Sequence, residues 1–429
     1  MLIAGTQSGC GKTTVTLALM QYFRAQSTSV APFKAGPDFL DPMWHGIVCD
    51  RTSYNLDTRM LGERACRALF VDKSTSADIR VIEGLMGLFD GRQGVGGEGS
   101  SAHLAKVLGE PVLLVVSAKG MSGSLVALVE GFVRRAACMD VQIEGVIANH
   151  VGSENHAKIL RELLKEFDLP PLVAWMEKGA PTLPERHLGL KMPSEHDLPD
   201  FSDYLHVGEA FSACFEKPLP CTTARHLQSQ GNEGIRELKN LLQGKKIAIA
   251  KDAAFCFIYP ENIEWLQAQG ADVIFFSPLL GETVSEDVDA LWLPGGYPEL
   301  HLEALSRSPS WHSISVLVEA GKPVLAECGG MMVLGTSLDD HTMAGILPCS
   351  FVMQDRLAGL GYREDRLGVK GHEFHHSRRV CQQDVSPCFD VKRGDVGMRH
   401  KNLRVSYIHW YFSSQSEVVA GWFGGSHGN

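Results

Sequence analysis

A cysteine followed by two glycines ends an apolar run in the last third of the chain. The run Pro323–Glu327 predicts a strand, and Cys328 and Gly329 predict a sharp turn into a helix. A thiol on such a turn is exposed, and the N-terminus of the helix lowers its pKa, as a nucleophile requires. Gly329 lets its backbone N–H approach a developing oxyanion. A lone cysteine is normally structural, so its assignment as a nucleophile depends on what accompanies it.

Two further features accompany Cys328 in the order expected for amide hydrolysis. Upstream, a strand-like run ends at Leu293 and leads into the turn Pro294–Gly296. The backbone N–H of Gly296 is predicted to complete an oxyanion hole. Downstream, His409 on a strand-like run is predicted to take the thiol proton and to pass it to leaving ammonia. The set predicts a glutamine-hydrolysing site.

A glycine-rich loop at residues 5–14 lies between an apolar strand and an amphipathic helix. Glycines allow backbone N–H groups to turn inward around phosphates, and a helix N-terminus favours their negative charge. Lys12 is predicted to reach the β- and γ-phosphates of ATP, and the Thr13 hydroxyl to bind Mg²⁺. The common pattern has glycine where this chain has Thr6, so the loop is one residue longer. The predicted nucleotide-binding residues of the loop are Gly9, Gly11, Lys12, Thr13 and Thr14.

Acidic residues follow two predicted strands of the same half. Asp38 and Asp41 follow one strand, while Glu83 ends another and precedes Asp90 in a glycine-rich segment. In an open parallel sheet, the ligand crevice lies at the C-terminal ends of the strands. Glu83 is therefore predicted to bind the metal ion together with Thr13. The three aspartates are predicted to hold a second metal ion or to orient the acceptor. Taken singly, each acid also fits a cap or turn residue.

The histidine-rich segment GHEFHHS at residues 371–377 suggests a metal site as an alternative. It lacks the i, i+4 histidine pair of HExxH, and the stretch shows no helical pattern. We interpret it as a loop that faces the substrate or has a structural role.

Two series of strand-like runs alternate with helical patterns along the chain. Runs that are apolar on both faces, such as Val112–Val116, indicate a mostly parallel sheet and an α/β fold. The first series predicts a domain at residues 1–190, and the second a domain at residues 244–429. Prolines interrupt the pattern at residues 191–243, which predicts a linker region in which only Ile235–Leu242 looks helical.

Bulk composition bounds the classes of function. A chain of 429 residues with 44% apolar and 21% charged residues is typical of a soluble protein with two domains. The net charge of −10 argues against a nucleic-acid partner, which would need a basic face. Eleven cysteines without a CxxC pair predict reduced thiols. Neither a leader pattern nor a membrane-length apolar run is present, which predicts a cytoplasmic protein without a membrane partner.

Together these segments resemble the cobyrinate a,c-diamide synthase family. The motifs that carry the resemblance are GTQSGCGKTT, FKAGPDFLDP, YNLDTRML, EGLMGLFDG, ERHLGL, KDAAFCFIYPEN, FFSPL, LPGGYPELH, AECGGMM, GYRE, GHEFHHS and SYIHWYF. They span Gly5 to about Phe412. The resemblance implies a dethiobiotin-synthetase-like ATPase domain fused to a class I glutamine amidotransferase domain. It implies that the a and c acetate groups of a corrin-type tetrapyrrole are phosphorylated and then amidated in cobalamin-type biosynthesis.

The resemblance also implies roles for particular residues. Cys328 takes the position of the family's nucleophile and His409 that of its activating histidine. The family's acidic motifs contain Asp38, Asp41, Glu83 and Asp90. Asn149 matches an asparagine implied to read the nucleotide base. The implied partners are glutamine, ATP with Mg²⁺ and a tetrapyrrole carboxylic acid, and a homodimer is the default for a soluble enzyme.

One departure and several alternatives remain. Class I amidotransferases place glutamate two residues after the histidine, where this chain has Tyr411, so a Cys–His dyad describes the site.

Hydrogenobyrinate and nickel-sirohydrochlorin are alternative substrates. The longer cobyric acid synthases differ in the GHEFHHS region. A rival of another class is a non-enzymatic nucleotide switch with an inactive amidotransferase module, against which the intact AECGG segment and His409 argue.

Overall fold

The computed structural model describes residues 1–92, 97–183, 185–186, 189–190, 192–193, 195–215, 240–381 and 385–424. The chain divides into two compact units, Met1–Gly234 and Ile235–Asn429. Each unit contains a largely parallel sheet with helices between successive strands. This confirms the predicted α/β class.

An eight-stranded sheet organises the first unit. The strands of this unit are β1 (Leu2–Gly5), β2 (Val30–Ala35), β3 (Tyr54–Leu56), β4 (Ile79–Gly87), β5 (Val112–Ser117), β6 (Ile143–Val151), β7 (Leu172–Glu177), β8 (Glu185–Arg186), β9 (Gly189–Leu190) and β10 (Leu205–Val207). Its helices are α1 (Lys12–Ala25), α2 (Leu40–Cys49), α3 (Glu63–Ser74), α4 (Ser101–Leu108), α5 (Gly123–Ala137) and α6 (Glu154–Glu166). The sheet order is β10-β7-β6-β5-β1-β4-β2-β3, and only β10 runs antiparallel to its neighbour.

The central strand β5 shows why the apolar runs form a sheet buried on both faces. Successive side chains of a strand point to opposite faces. Val112, Leu114 and Val116 accordingly join one hydrophobic core, while Leu113 and Val115 join the other. Full burial of each such side chain contributes about 1.5–3 kcal/mol. A run that is apolar at every position is therefore stable between two layers of helices.

Part of the predicted linker packs in the first unit. β10 pairs with β7, and Phe211 stacks on Phe23 of α1 at a ring distance of 5.5 Å. Phe201 is fully buried in the same core. The boundaries predicted at residues 191 and 243 stay a prediction. The helix predicted over Ile235–Leu242 lies largely outside the described residues.

A six-stranded sheet organises the second unit. The strands of this unit are β11 (Lys246–Ala250), β12 (Asp272–Phe276), β13 (Ala290–Leu293), β14 (Val324–Glu327), β15 (Ser337–Leu338), β16 (His341–Thr342), β17 (Cys349–Met353), β18 (Gly359–Glu364), β19 (Lys370–His375), β20 (Ser377–Cys381), β21 (Met398–His400), β22 (Leu403–Ser406) and β23 (Ile408–Tyr411). Its helices are α7 (Pro260–Ala268), α8 (Leu302–Ser306), α9 (Ser310–Glu319), α10 (Gly329–Met332) and α11 (Ser416–Gly424). The sheet order is β12-β11-β13-β14-β22-β21, parallel except for β21.

Two smaller sheets complete the second unit and correct one prediction. The order of one is β16-β15-β17-β20 and that of the other is β18-β19-β23. The histidine-rich segment 371–377, predicted as a loop, instead forms most of β19 and the start of β20. Its backbone pairs with β18 on one side and with β23 on the other.

The cysteines depart from the expectation of reduced thiols at one pair. Cys349 of β17 and Cys381 of β20 are directly opposite in the antiparallel ladder and form a disulfide. Spacing in the sequence does not predict this pair, because it depends on which strands become neighbours. Among the described residues, no helix combines the length and the apolar character needed to cross a membrane.

Candidate functional site

The loop between β1 and α1 has a backbone suited to phosphate binding. Gly9 and Gly11 have φ angles of 75° and 88°, in the left-handed region that favours glycine. α1 begins at Lys12, so the positive end of its dipole faces the loop. Burial lowers the pKa of the Lys12 ammonium. This geometry supports the nucleotide-binding role predicted for the loop, including Thr13 and Thr14 in the first helical turn.

Asn149 lies beneath this loop at the C-terminal part of β6. Its Nδ2 donates a hydrogen bond of 3.0 Å to the carbonyl oxygen of Cys10, and its Oδ1 accepts from the N–H of His150. A Cβ atom on Gly11 would collide with the Asn149 amide. The structure therefore adds a role that the sequence did not indicate, which is holding the loop in place. Base reading by Asn149 stays a prediction.

Thr13 and Glu83 meet at the start of α1. The Thr13 hydroxyl donates to Glu83 Oε1 over 2.6 Å. Glu83 lies within β4 rather than at its end, because β4 continues to Gly87. Burial opposes ionisation of Glu83, but Lys34 and His45 hold the pKa of its carboxyl well below the ordinary range. An ionised carboxylate beside a hydroxyl is a hard oxygen donor set, which fits Mg²⁺ completed by water and phosphate oxygens.

Lys34 is a buried cation that no motif of the sequence indicated. Its Nζ forms a short ion pair with Asp41, lies 3.0 Å from Glu83 Oε1 and lies 3.9 Å from Asp38 Oδ2. Burial alone would lower its pKa, but these three carboxylates raise it above the ordinary value, so Lys34 stays charged. The available signal was a lysine inside the otherwise apolar strand VAPFKA.

The pKa of Asp41 is shifted in the opposite direction from that of Glu83. Burial raises the pKa of Asp41 well above its ordinary value, and the charges of Asp38 and Glu83 add to this, while Lys34 opposes it. Of these two coupled carboxyls, Glu83 is therefore the one that more readily ionises next to the Lys34 ammonium.

His45 is a second residue of the cluster that no motif of the sequence indicated. It is fully buried in α2, with Nε2 2.8 Å from Glu83 Oε2 and Nδ1 3.1 Å from Ser53 Oγ. Glu83 is thus held on one carboxylate oxygen by His45 and on the other by Thr13 and Lys34. The available signal was a histidine on the apolar face of a helix, which is more often a core residue.

Asp38 and Asp90 make local bonds. Asp38 Oδ1 accepts from the N–H groups of Leu40 and Asp41 and so caps the first turn of α2. Asp90 is exposed, and its Oδ2 accepts from the N–H of Gly87 over 2.9 Å. The structure therefore brings Asp38, Asp41 and Glu83 together around Lys34, and places Asp90 in the turn after β4.

Cys328 occupies the predicted turn between β14 and α10. Its φ of 45° is in the left-handed region, and its N–H donates to the Ser406 carbonyl over 2.7 Å. A non-glycine residue in this region is strained and is retained where the surroundings enforce it. The expectation of an exposed thiol with a lowered pKa is wrong. Cys328 is buried, and burial, aided by the Glu299 carboxylate, raises the pKa of its thiol.

His409 and Cys328 both lie next to Gly295. A Cβ atom on Gly295 would overlap Cε1 of His409 and would lie 3.2 Å from Cβ of Cys328. Only glycine leaves room there for both side chains. Burial lowers the pKa of His409 well below its ordinary value, and His372 and His375 lower it further. A neutral imidazole beside a protonated thiol is the starting state in which histidine can accept the proton.

The two glycine turns of the predicted oxyanion hole are in backbone contact. A Cβ atom on Gly329 would lie 3.1 Å from the backbone N of Gly296. A Cβ atom on Gly296 would collide with the carbonyl oxygen of Ala254. The close approach of these backbones supports the predicted oxyanion role of both N–H groups, which only small residues permit.

The histidine-rich strand β19 lies beside the catalytic candidate on β23. His372 is the register partner of His409, and Tyr411 is the register partner of Lys370. Glu373, which follows His372, accepts a hydrogen bond of 2.6 Å from Arg363 Nε and shares one of 2.9 Å with His375. In the described part of the chain, no group of three or more His, Cys, Asp or Glu side chains is arranged to hold a metal ion.

Two family models match the chain over its two units. Residues 1–182 match the CobQ/CobB/MinD/ParA nucleotide binding domain. Residues 246–417 match the CobB/CobQ-like glutamine amidotransferase domain. The phosphate loop lies in the first match, and Cys328 and His409 lie in the second.

Curated relatives match along almost the whole chain. Cobyrinate a,c-diamide synthase of Priestia megaterium is 38% identical over 98% of this chain and 96% of its own length. Hydrogenobyrinate a,c-diamide synthase of Stutzerimonas stutzeri is 40% identical over 98% of this chain and 97% of its own length. The relative from Syntrophotalea carbinolica, a cobyrinate a,c-diamide synthase, is 36% identical over 97% of this chain. The chain belongs to the family of cobyrinate and hydrogenobyrinate a,c-diamide synthases.

Proposed function

We propose that this chain is a ligase that uses ATP and glutamine to amidate the a and c acetate carboxylates of cobyrinate in cobalamin biosynthesis. The observation that carries the proposal is the presence of two complementary sites in one chain. The first unit has a phosphate loop joined to the acidic cluster of Glu83. The second has Cys328 and His409 both next to Gly295. Similarity to relatives of that name over nearly the full length supports the choice of substrate.

The second unit would release ammonia from glutamine. The Cys328 sulfur attacks the side-chain amide carbon while His409 accepts the thiol proton. The N–H groups of Gly296 and Gly329 stabilise the negative charge on the amide oxygen. The carbon–nitrogen bond then breaks, and His409 returns the proton to the leaving ammonia. Water hydrolyses the resulting thioester to glutamate and the free thiol.

The first unit would activate the carboxylate of the acceptor. A carboxylate oxygen attacks the γ-phosphorus of ATP, ADP leaves, and an acyl phosphate forms. Ammonia attacks its carbonyl carbon, and phosphate leaves to give the amide. Thr13 and Glu83 are the residues that would hold Mg²⁺, which, when bound, neutralises the charge between the two anions. Lys12 and the loop N–H groups would bind the phosphates, while Asp38, Asp41 and Asp90 would orient the acceptor.

Hydrogenobyrinate is a second candidate substrate. The relative from Stutzerimonas stutzeri, 40% identical, carries that name. The motifs of the two sites concern nitrogen release and phosphoryl transfer, which both substrates share. A cytoplasmic location and a homodimer remain part of the proposal.

Product analysis tests the proposal. The purified chain would be incubated with ATP, Mg²⁺ and glutamine, and with cobyrinate, hydrogenobyrinate or nickel-sirohydrochlorin in separate reactions. Mass spectrometry is expected to detect replacement of two carboxyl hydroxyls by amino groups, with release of ADP, phosphate and glutamate. An absence of glutamate release, with or without tetrapyrrole, would instead favour the nucleotide switch with an inactive amidotransferase module.

A further inference from the structure

Tyr411 fills the position at which class I amidotransferases carry the glutamate that orients their histidine. It lies two residues after His409 on β23, and is fully buried. Its ring packs edge-to-face against the ring of Tyr259, with centroids 5.5 Å apart and an angle of 67°. At this position of β23 the chain therefore has an aromatic contact and no carboxylate.

A second histidine stacks on the catalytic candidate from the neighbouring strand. His372 of β19 is directly opposite His409 in the antiparallel ladder. Directly opposite side chains on one face of such a pair are the closest neighbours that a strand offers. The two rings are 5.1 Å apart at their centroids and inclined by only 23°. The stack limits rotation of the His409 ring, because a turn about χ2 would drive it into His372.

Tyr259 holds this second histidine in turn. Its hydroxyl and Nδ1 of His372 share a hydrogen bond of 2.9 Å. Tyr259 is 1% exposed and precedes Pro260, the first residue of α7, so its backbone is fixed by the start of that helix. The imidazole ring of His372 on β19 is therefore contacted by His409 of β23 and by Tyr259 at the start of α7.

We propose that His372 and Tyr259 are positioning residues for His409 and take the place of the missing glutamate. The ring stack sets the plane of the His409 imidazole, and the hydrogen bond to Tyr259 sets the plane of His372. This inference rests on the proposed glutaminase function of Cys328 and His409. It assigns to the GHEFHHS motif a role in proton transfer geometry rather than in metal binding.

The charge state of His372 suits this role. Burial lowers its pKa to about 3, and the Arg363 guanidinium adds to the effect. His372 therefore stays neutral at physiological pH. The titratable groups that act on His409 besides His372 include His375 of the same strand.

Three substitutions separate the ring stack from the hydrogen bond. His372→Ala removes both, His372→Phe retains a ring of similar shape, and Tyr259→Phe removes only the hydroxyl. We expect His372→Ala to lower kcat for glutamine-driven amidation about 10- to 100-fold, since small misplacements of catalytic groups cost that much. The KM for glutamine should stay unchanged. The rate of ammonium-driven amidation should also stay unchanged. His372→Phe should recover most of the rate, and Tyr259→Phe should lie between.

The pH dependence of kcat/KM distinguishes a positioning role of His372 from a purely structural one, because loss of a purely structural residue would not change it. Removal of the His372 ring admits water to His409 and relieves its desolvation, so the acidic limb of kcat/KM should shift to higher pH in His372→Ala. An unchanged kcat and profile in His372→Ala would overturn the inference, as would a rise in KM alone. Equal inactivity of His372→Phe would overturn the stacking role. If the unaltered enzyme releases no glutamate, the proposed function itself fails. The two milder variants keep the test valid should His372→Ala not fold.

Discussion

The side-chain carboxyl of Glu327 accepts a hydrogen bond of 3.1 Å from the backbone N–H of Trp410. Glu327 precedes the nucleophile candidate Cys328, and Trp410 follows His409. The bond joins β14 of the six-stranded sheet to β23 of the three-stranded sheet. It thereby fixes the separation of two strands whose side chains must exchange a proton.

The protonation of Glu327 makes stability depend on pH. Burial raises the pKa of its carboxyl to about 8. Between the ordinary carboxyl range and pH 8, the unfolded chain has lost this proton while the folded chain retains it, so the free energy of unfolding falls as pH rises. Glu327→Gln retains an acceptor for Trp410 and cannot ionise. The difference in Tm between Glu327→Gln and the unaltered protein should therefore increase, in favour of the variant, by roughly 2–4 °C or more from about pH 5 to about pH 8.

Glu303→Gln is the matched control for this measurement, because the Glu303 side chain is 77% exposed. Its Tm difference should stay small at every pH. A constant Tm difference for Glu327→Gln over the same range would contradict the raised pKa of Glu327.

Replacement of the nucleophile should separate the two nitrogen sources. Cys328→Ser should reduce glutamine-driven amidation roughly a thousandfold or more, since loss of a catalytic nucleophile has effects of this size. Amidation driven by added ammonium should be spared, because it needs only the phosphoryl-transfer site. Rates of amide formation with each nitrogen source, with the exposed Cys138→Ser as control, provide the measurement. Survival of both activities would show that Cys328 is not the nucleophile.

Neutralisation of Glu83 should lower the rate of amidation equally with glutamine and with ammonium as the nitrogen source. Glu83→Gln removes the charge that Lys34, His45 and Thr13 hold in place, and leaves the buried ammonium less compensated. We expect ADP release and amidation to fall by about two orders of magnitude, in line with the loss of a preorganised electrostatic group. Glu63→Gln, at an exposed site, serves as the control. A loss confined to the glutamine-driven reaction would place Glu83 outside the common step.

A methyl group at position 295 should disable the glutamine site alone. Gly295→Ala places a Cβ atom against Cε1 of His409, so the imidazole must move away from Cys328. Glutamate release should fall about 100-fold, while ammonium-driven amidation persists. Gly421→Ala in α11, where a Cβ atom meets nothing within 4 Å, should leave both rates unchanged. Full glutaminase activity in Gly295→Ala would mean that His409 does not act from this position.

Much of the fold and part of each site follow from short stretches of sequence. The strand at Val112–Val116, the loop at residues 5–14 and the turn at Cys328 are each encoded within a few residues. Strand pattern, glycine turns and helix starts are local properties of the backbone, so a reader of the sequence can recognise them. The burial of Cys328 and the raised pKa of its thiol were not predictable, because solvent exclusion depends on the whole unit.

The sequence by itself determined two α/β units, a phosphate loop and a cysteine–histidine pair. The tertiary structure decided which side chains surround them. Lys34 meets Glu83 from 49 residues away, and His45 meets it from 38. His372 meets His409 because β19 is the strand that pairs with β23. Such contacts depend on the order of strands in a sheet, which is set by packing of the entire core and not by any local pattern.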